Sequence, residues 1–245
     1  MIKNTLLLIP MLVLSMTVMP MSLPDTLEVG IFSRYDPGET TLPENWEPMN
    51  FRGIKPTSYE LTDKNGKTVI KADSDKSSSG LIHRIDVDLE EYPVIRWSWL
   101  AENIIEQGDV TQKSGDDYPV RIYVIFDYDL SNLSWWHRNT IRVLRRFYGE
   151  IPGRAINYIW DNSTEIGTVV ENPYTDLVMM QVVESGKDNL DQWMTYERNI
   201  YEDYKAIYDE EPPKIGGIAI MTDTDDTKEA VTAYFGDIKF LRSTE

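Results

Sequence analysis

The sequence predicts an all-β domain: a two-sheet antiparallel β-sandwich of the jelly-roll type, with one or two short helical insertions. About ten segments alternate between apolar and polar residues with a period of two, which is typical of strands that bury one face. Turn residues separate these segments. The clearest turn is Asn65-Gly66, a strong two-residue hairpin signal between Thr57–Asp63 and Thr68–Asp73.

The C-terminal stretch shows the strand pattern most clearly. Apolar runs at Ile215–Met221 and Ala230–Leu241 flank an acidic loop, Thr222–Glu229. In the second run, apolar residues occupy alternate positions, so that one face of the strand is buried. Two apolar runs joined by a polar loop predict a β-hairpin with a longer loop.

The other segments are assigned in chain order. Ser74–Gly80 and Glu102–Asp117 are predicted loops, and Ile200–Tyr208 is a predicted short helix that stops before Pro212-Pro213. A single helix over Gln192–Tyr208 is the alternative for that region. The remaining strands are predicted at Leu27–Ser33, Trp46–Gly53, Leu81–Leu89, Pro93–Leu100, Tyr118–Tyr128, Ala155–Asp161, Gly167–Val170, Leu177–Glu184 and Trp193–Arg198.

Length and charge restrict the function. A chain of 245 residues suits one large β-domain, here residues 24–245. The formal net charge of −17 argues against nucleic acid and, except at a local basic patch, against anionic glycans. Neutral sugars and cations remain as ligands.

Several classes of catalytic site are absent from the sequence. The chain has no cysteine, which excludes disulfides, thiol catalysis, cysteine-type zinc sites and a lipid-anchored N-terminus. The two histidines, His83 and His137, have no supporting motif. No P-loop, dinucleotide fingerprint, nucleophile elbow or His-Glu-x-x-His is present.

The N-terminus is typical of a targeting segment. Lys3 precedes an apolar run, Leu6–Leu14, that Pro10 interrupts. This pattern predicts a signal peptide over residues 1–23 and an exported, periplasmic protein. An uncleaved anchor is the alternative, and it would be the chain's connection to a membrane.

Candidate ligand-binding residues cluster around the most β-prone run. On Tyr118–Tyr128, Arg121 and Tyr123 share the face opposite the apolar one, and such a polar-aromatic face suits a concave groove. Lys113, Asp116 and Asp117 lie in the preceding loop. Adjacent carboxylates there suit a cation or sugar hydroxyls, although Asp-Asp beside glycine is also ordinary turn chemistry.

A second acidic loop contains Asp223, Asp225 and Asp226. Their spacing can present several oxygens to a hard cation such as Ca²⁺, although the loop lacks the glycine and distal glutamate of an EF-hand. A solvated loop tip is the alternative, and no other cofactor is indicated. Asp237 lies on a predicted strand, where an arginine partner is expected: Arg96, Arg121 or Arg198.

Aromatic residues allow two interpretations. Trp97 and Trp99 lie two apart on one strand face, which suits the sandwich core or a sugar-stacking platform. Tyr158 and Trp160, like Tyr123, are further candidates for stacking on sugars.

Two charged groups are ambiguous in the same way. Glu197 and Arg198 suit a structural ion pair, or an acid and a clamp on a ligand.

Asn132–Tyr148 is predicted to be an amphipathic helix. Its arginines suit a solvated face or a docking surface for an acidic partner or headgroups; they are Arg138, Arg142, Arg145 and Arg146.

Several stretches together resemble the bacterial domain-of-unknown-function family 3047. The resemblance covers roughly residues 27–243 and implies an exported protein with a galactose-binding-like jelly roll; it supplies no catalytic residue. The stretches that carry it are SGDDYPVRIYVIF (114–126), NYIW (157–160), NPYTD (172–176), ERNIYEDY (197–204), EEPPKIGGIAIMTDTDD (210–226) and AYFGDIKF (233–240).

These observations favour an exported module that binds a glycan or envelope polysaccharide. The first alternative is a polysaccharide-acting enzyme that uses Asp116, Asp117 or Glu197 with Arg121. The second is a structural or assembly protein of the envelope that docks through the arginine-rich helix.

Overall fold

The structure, a computed structural model, describes residues 24–129 and 154–243. In these two ranges, short 3-10 turns lie at Phe32–Arg34 and Lys113–Gly115, and one α-helix, α1, spans Ile200–Tyr208. The strands are β1 Thr26–Gly30, β2 Trp46–Asn50, β3 Ser58–Lys64, β4 Lys67–Asp75, β5 Ser78–His83, β6 Val94–Ala101, β7 Arg121–Phe126, β8 Arg154–Asp161, β9 Val169–Asn172, β10 Thr175–Ser185, β11 Met194–Asn199, β12 Ile215–Asp223 and β13 Ala230–Leu241.

The strands form two stacked sheets. One has the order β11-β6-β13-β4-β3, with β1 also paired to β13, and the other has the order β2-β5-β12-β7-β8-β10-β9. The chain changes sheet between β4, β5, β6 and β7, which is the connection pattern of a jelly roll. The predicted two-sheet sandwich is therefore confirmed. Its pairs are antiparallel apart from β8 and β10, which run parallel.

Aromatic side chains fill the space between the sheets. Trp97, Trp99, Tyr158 and Trp160 are fully buried. The Trp97 ring lies 5.5 Å from Trp99 on the same strand and 5.3 Å from Tyr158 on the opposite sheet, measured between ring centroids. The core interpretation is confirmed for Trp97 and Trp99. Sugar stacking by these four rings is wrong, because none of them reaches the surface.

The predicted C-terminal hairpin is wrong, although both of its strands are correct. β12 pairs with β5 and β7 in the seven-stranded sheet, whereas β13 pairs with β4 and β6 in the other sheet. Nearly every residue of β12 is buried. A strand buried on both faces belongs in the middle of a sheet with a neighbour on each side, which a terminal hairpin does not provide.

The polar segment Ser74–Gly80, predicted as a loop, is mostly strand. β4 continues to Asp75 and β5 begins at Ser78, and Ser74, Ser77 and Ser79 are buried. Their hydroxyls are hydrogen-bonded: the Oγ of Ser74 lies 2.8 Å from Oγ1 of Thr224. The predicted strand Leu81–Leu89 ends early, at His83.

Other predicted elements agree with the structure. The Asn65-Gly66 hairpin is confirmed, with φ angles of 60° and 79° that suit a two-residue hairpin turn. The helix Ile200–Tyr208 is confirmed, and the side chain of Asn199 caps it by accepting a hydrogen bond from the Glu202 N–H. Residues 1–23 and the predicted helix Asn132–Tyr148 lie outside the described ranges. Within those ranges, no helix is long and apolar enough to cross a membrane.

Candidate functional site

A cleft of about 180 Å³ lies on the outer face of the seven-stranded sheet. Residues of β7, β10 and β12 form its floor, and loop residues around positions 51–54, 116, 174 and 225–226 form its rims. The lining residues used below are Met49, Phe51, Asp116, Arg121, Tyr123, Ile125, Asn172, Tyr174, Met221, Asp223, Asp225 and Asp226.

The alternation along β7 places two functional side chains in this cleft. Ile122 and Val124 point into the core between the sheets. Arg121 and Tyr123 therefore point outward, where they line the cleft. The cleft lies on the face for which the sequence predicts a concave groove, and β7 is the middle strand of the sheet.

Arg121 is the buried centre of the cleft and is only 3% exposed. Its Nη2 donates to Oδ2 of Asp223, and its Nη1 lies 3.6 Å from Oδ1 of Asp116. The guanidinium carbon also lies 5.1 Å and 5.5 Å from the ring centroids of Tyr118 and Tyr123. Two acids and two aromatic rings thus hold this cation in one place.

Part of this charged group lacks hydrogen-bond partners. Among the described residues, Nε and Nη1 of Arg121 and Oδ1 of Asp116 make no hydrogen bond. The other oxygen of Asp116 accepts from Nδ2 of Asn172 at 3.0 Å. Buried polar atoms without partners are costly, so atoms of this kind that line a cleft indicate a polar ligand or ordered water.

A second group of acids lies beside Arg121. Asp117, Asp225 and Asp226 each place one carboxylate oxygen within 4.8 Å of the others. The backbone N–H groups of Asp226 and Thr227 both donate to Asp117, at 3.3 Å and 2.5 Å. Tyr174 donates its hydroxyl to Oδ2 of Asp226 at 3.0 Å. We call Asp117, Asp225 and Asp226 the acidic triad.

The acidic triad differs from the predicted metal-ligand set by one residue. Asp225 and Asp226 belong to both, but Asp223 faces Arg121 instead and also accepts the Tyr118 N–H at 3.2 Å. Asp117, predicted as a ligand-binding residue in a loop that also suits a cation, takes the third position.

Burial and the charges of neighbouring carboxylates raise the pKa values of Asp116, Asp225 and Asp226. Burial raises the pKa of Asp226 to about 6; the charges of Asp225 and Asp117 add to this, and the Tyr174 hydrogen bond opposes it. Burial and the charge of Asp117 raise the pKa of Asp225. Burial also raises the pKa of Asp116, against the opposing charge of Arg121. The cluster therefore tends to take up a proton or a cation near neutral pH.

The raised pKa of Asp226 predicts a pH-dependent stability. The folded protein holds this proton more tightly than the unfolded chain, so the Asp226 contribution to the free energy of unfolding should fall as pH rises from about 4 to about 6. In chelator-treated protein, Asp226→Asn should flatten this part of the pH profile of the melting temperature. Asp188→Asn, at an exposed position outside the cleft, should keep the wild-type profile. An unchanged profile in Asp226→Asn would contradict the prediction.

The other predicted ligand-binding residues are dispersed. Lys113 lies at the rim, with Nζ 5.1 Å from the ring centroid of Tyr174. Tyr158 is buried in the core, where its hydroxyl donates to Asp203 at 2.6 Å. Glu197 and Arg198 lie on β11 in the other sheet and do not line the cleft.

Two predicted ion pairs are wrong. Glu197 pairs with Arg96 across the strands, and Arg198 pairs with Asp203, because successive strand residues point to opposite faces. In the described part of the chain, Asp237 pairs with none of the three predicted arginines, Arg96, Arg121 and Arg198. It accepts from the N–H and the hydroxyl of Ser33, at 3.0 Å and 2.7 Å.

Asn172 and Tyr174 are cleft residues that the sequence did not indicate. The Asn172-Pro173-Tyr174 segment predicts a turn, and the Oδ1 of Asn172 does accept the Tyr174 N–H at 3.0 Å. Nothing in that pattern shows that the turn lies beside Asp116. Only the pairing of β9 with β10 at the sheet edge brings it there.

Comparison with solved structures gives distant likenesses. One is to the xyloglucanase domain of NopAA, a type three effector from Sinorhizobium fredii, in complex with cellobiose: TM-score 0.45, 11% identity, 85% of this chain and 99% of that chain. Another is to the CBM22-1-CBM22-2 tandem domain of Xyn10C from Paenibacillus barcinonensis: TM-score 0.36, 14% identity, 91% of this chain and 51% of that chain. A third is to the K3 adhesin domain of Lys-gingipain from Porphyromonas gingivalis: TM-score 0.35, 10% identity, 88% and 96%. At these scores the likenesses carry no argument about function.

Sequence comparison identifies the family. No curated protein matches the chain at a significant level. The family described as "Protein of unknown function (DUF3047)" matches residues 44–239, which is most of the chain. The chain therefore belongs to the DUF3047 family.

Proposed function

We propose that the chain is an exported protein that binds a neutral glycan, such as an envelope polysaccharide, in the cleft of the seven-stranded sheet. One observation carries the proposal. Arg121 and Asp116 line the cleft with buried polar atoms that have no hydrogen-bond partner within residues 24–129 and 154–243. A sugar hydroxyl both donates and accepts, so it can accept from Arg121 and donate to Asp116.

The apolar part of the cleft suits the other side of a sugar. Tyr123 and Tyr174 are only partly buried, and Met49, Ile125 and Met221 extend the apolar surface around them. Sugar rings have C–H faces that pack on aromatic rings in the way that apolar side chains do. An apolar surface with a few convergent polar groups is the usual composition of a small-ligand site.

Charge and size restrict the ligand further. The lining contains four acids and a single arginine, so uronic acids and sulfated sugars are disfavoured; the acids are Asp116, Asp223, Asp225 and Asp226. The volume of 180 Å³ is below the roughly 300–1,000 Å³ typical of drug-sized ligands. We infer that the cleft holds one sugar unit of a longer chain.

The N-terminal segment supports the exported location. Lys3 and the apolar run Leu6–Leu14 have the order of a signal peptide. Detection of the full-length chain in periplasmic and cytoplasmic fractions tests this part of the proposal separately from ligand binding.

Calorimetric titration with a panel of neutral polysaccharides and their oligosaccharides tests the binding site. Asp116→Asn should weaken binding about ten- to a hundredfold, because it removes a charged acceptor from a buried hydrogen bond. Tyr123→Ala should weaken it about tenfold through loss of ring packing. Both variants should remain folded.

Matched controls make the test specific. Asp188→Asn carries the same charge change on an exposed loop, and Tyr201→Ala removes a tyrosine of α1 outside the cleft. Both should bind as the wild type does. The proposal fails if no neutral glycan binds, or if the cleft variants bind like these controls. If the protein shortens the glycan during incubation, its function is hydrolysis of the glycan rather than binding alone.

A further inference from the structure

We propose that the acidic triad, Asp117, Asp225 and Asp226, is a Ca²⁺ site in the wall of the cleft. The proposal concerns the protein alone and does not rest on glycan binding. Asp117 comes from the loop before β7, and the other two come from the loop after β12. The pairing of β7 with β12 brings these loops together.

The spacing of the three carboxylates fits a calcium ion. Their oxygens lie within 4.8 Å of one another, and this is twice the Ca–O distance of about 2.4 Å. Each pair of oxygens therefore meets the distance limit for two ligands of one ion. Two backbone N–H groups already fix Asp117 in its orientation.

Unpartnered oxygens on residues next to the triad are a second observation. Oδ1 of Asp116 and Oγ1 of Thr227 make no hydrogen bond among the described residues, although their residues are only 6% and 9% exposed. Asp116 lines the cleft together with Asp225 and Asp226, and the N–H of Thr227 binds Asp117. Calcium takes six to eight oxygen ligands, so these atoms can bind waters that complete the shell of the ion.

The local charge favours a divalent cation. The triad and the neighbouring Asp116 and Asp223 carry five carboxylates. Among the described residues, the positive charge next to these carboxylates comes from Arg121, which pairs with Asp223 and Asp116, and from Lys228. Nζ of Lys228 donates to the backbone oxygen of Asp225. Negative charge remains in excess, and a divalent ion would offset most of it.

The donor set selects the kind of metal. The triad offers carboxylate oxygens only, which suits hard cations rather than zinc or copper. Magnesium prefers six ligands at about 2.0–2.1 Å in a strict octahedron, whereas calcium tolerates irregular, wider sites. Two of the three acids lie next to each other in one loop, a geometry that the more tolerant ion accommodates better.

Titration of the chelator-treated full chain with CaCl₂ tests the proposal. The melting temperature of the wild type should rise and then saturate, since the ion binds only the folded state. Asp225→Asn and Asp226→Asn should each weaken Ca²⁺ binding about tenfold or more, as judged by calorimetry. Neither variant should melt below the wild type in chelator, because each removes a repelling charge. Tb³⁺ in place of Ca²⁺ should show tyrosine-sensitised luminescence, because Tyr174 donates to Asp226 at 3.0 Å.

The outcomes separate a site from general attraction to an acidic protein. Asp188→Asn has the same charge change and should bind Ca²⁺ as the wild type does. The proposal is overturned if the wild type does not bind Ca²⁺, if the triad variants bind it as tightly as Asp188→Asn, or if Mg²⁺ binds in preference. No glycan is present in these titrations, so their failure leaves the proposed function to its own test.

Discussion

Arg121→Met should lower the free energy of unfolding by about 3–5 kcal/mol, as is typical when one partner of a buried ion pair is removed. Asp223 and Asp116 are almost fully buried beside this guanidinium. Without it, both carboxylates would have to protonate or draw water into the sheet. Denaturant unfolding at neutral pH, monitored by tryptophan fluorescence, measures the loss.

A second variant separates the stranded charge from the lost packing. Arg121→Met with Asp223→Asn removes the carboxylate that Arg121 contacts directly, so it should recover part of the stability that the single variant loses. Methionine in both proteins keeps most of the apolar stem of the arginine. An exposed ion pair contributes up to about 1 kcal/mol to the free energy of unfolding. If Arg121→Met lowers that free energy by less than this, the buried ion pair is contradicted.

The position of Arg121 could be predicted from local sequence, whereas its partners could not. Alternation along β7 places Arg121 and Tyr123 on the face away from the core, and the structure agrees. Which acids meet Arg121 depends on the order of strands in the sheet. Met221 of β12 lies opposite Arg121, so Asp223 comes to lie beside the start of β7.

The wrong hairpin also explains why the acidic triad differs from the predicted metal-ligand set. A hairpin of β12 with β13 would place Thr222–Glu229 at a solvated tip. Because β12 instead lies between β5 and β7, this loop packs against the loop that contains Asp117. The sequence contains both acidic loops, but no local pattern records that they are neighbours in space.

A similar limit applies to the serine-rich segment. Composition predicts that Ser74–Gly80 is solvated, since unpaired hydroxyls are costly to bury. The structure buries Ser74, Ser77 and Ser79 because Thr57, just before β3, and Thr224, just after β12, supply their hydrogen-bond partners. Polar residues are tolerated inside when every hydroxyl finds a partner, and such partners come from tertiary structure.

Trp97→Ala should lower the free energy of unfolding by about 3–5 kcal/mol, the usual cost of removing a large aromatic side chain from a core. The ring is fully buried and contacts Tyr158 across the sandwich, as well as Trp99 and Tyr196 in its own sheet. Trp193→Ala is the matched control. That residue is partly exposed beside the small cluster of Val69, Leu100 and Tyr234, so its loss should cost clearly less. If denaturant unfolding shows the same loss of free energy for Trp97→Ala and Trp193→Ala, the assignment of Trp97 to the core and Trp193 to the periphery is contradicted.

Trp97→Phe then separates a role in the core from a role in ligand binding. The smaller ring should keep enough packing for the protein to fold, at a cost of a few kcal/mol or less. Because Trp97 faces the inside of the sandwich and the cleft lies on the outer face of the other sheet, glycan affinity should be unchanged in this variant. Tyr123→Ala should show the reverse pattern, with weaker binding and a smaller change in stability. A loss of glycan affinity in folded Trp97→Phe would return the tryptophans to consideration as the stacking surface.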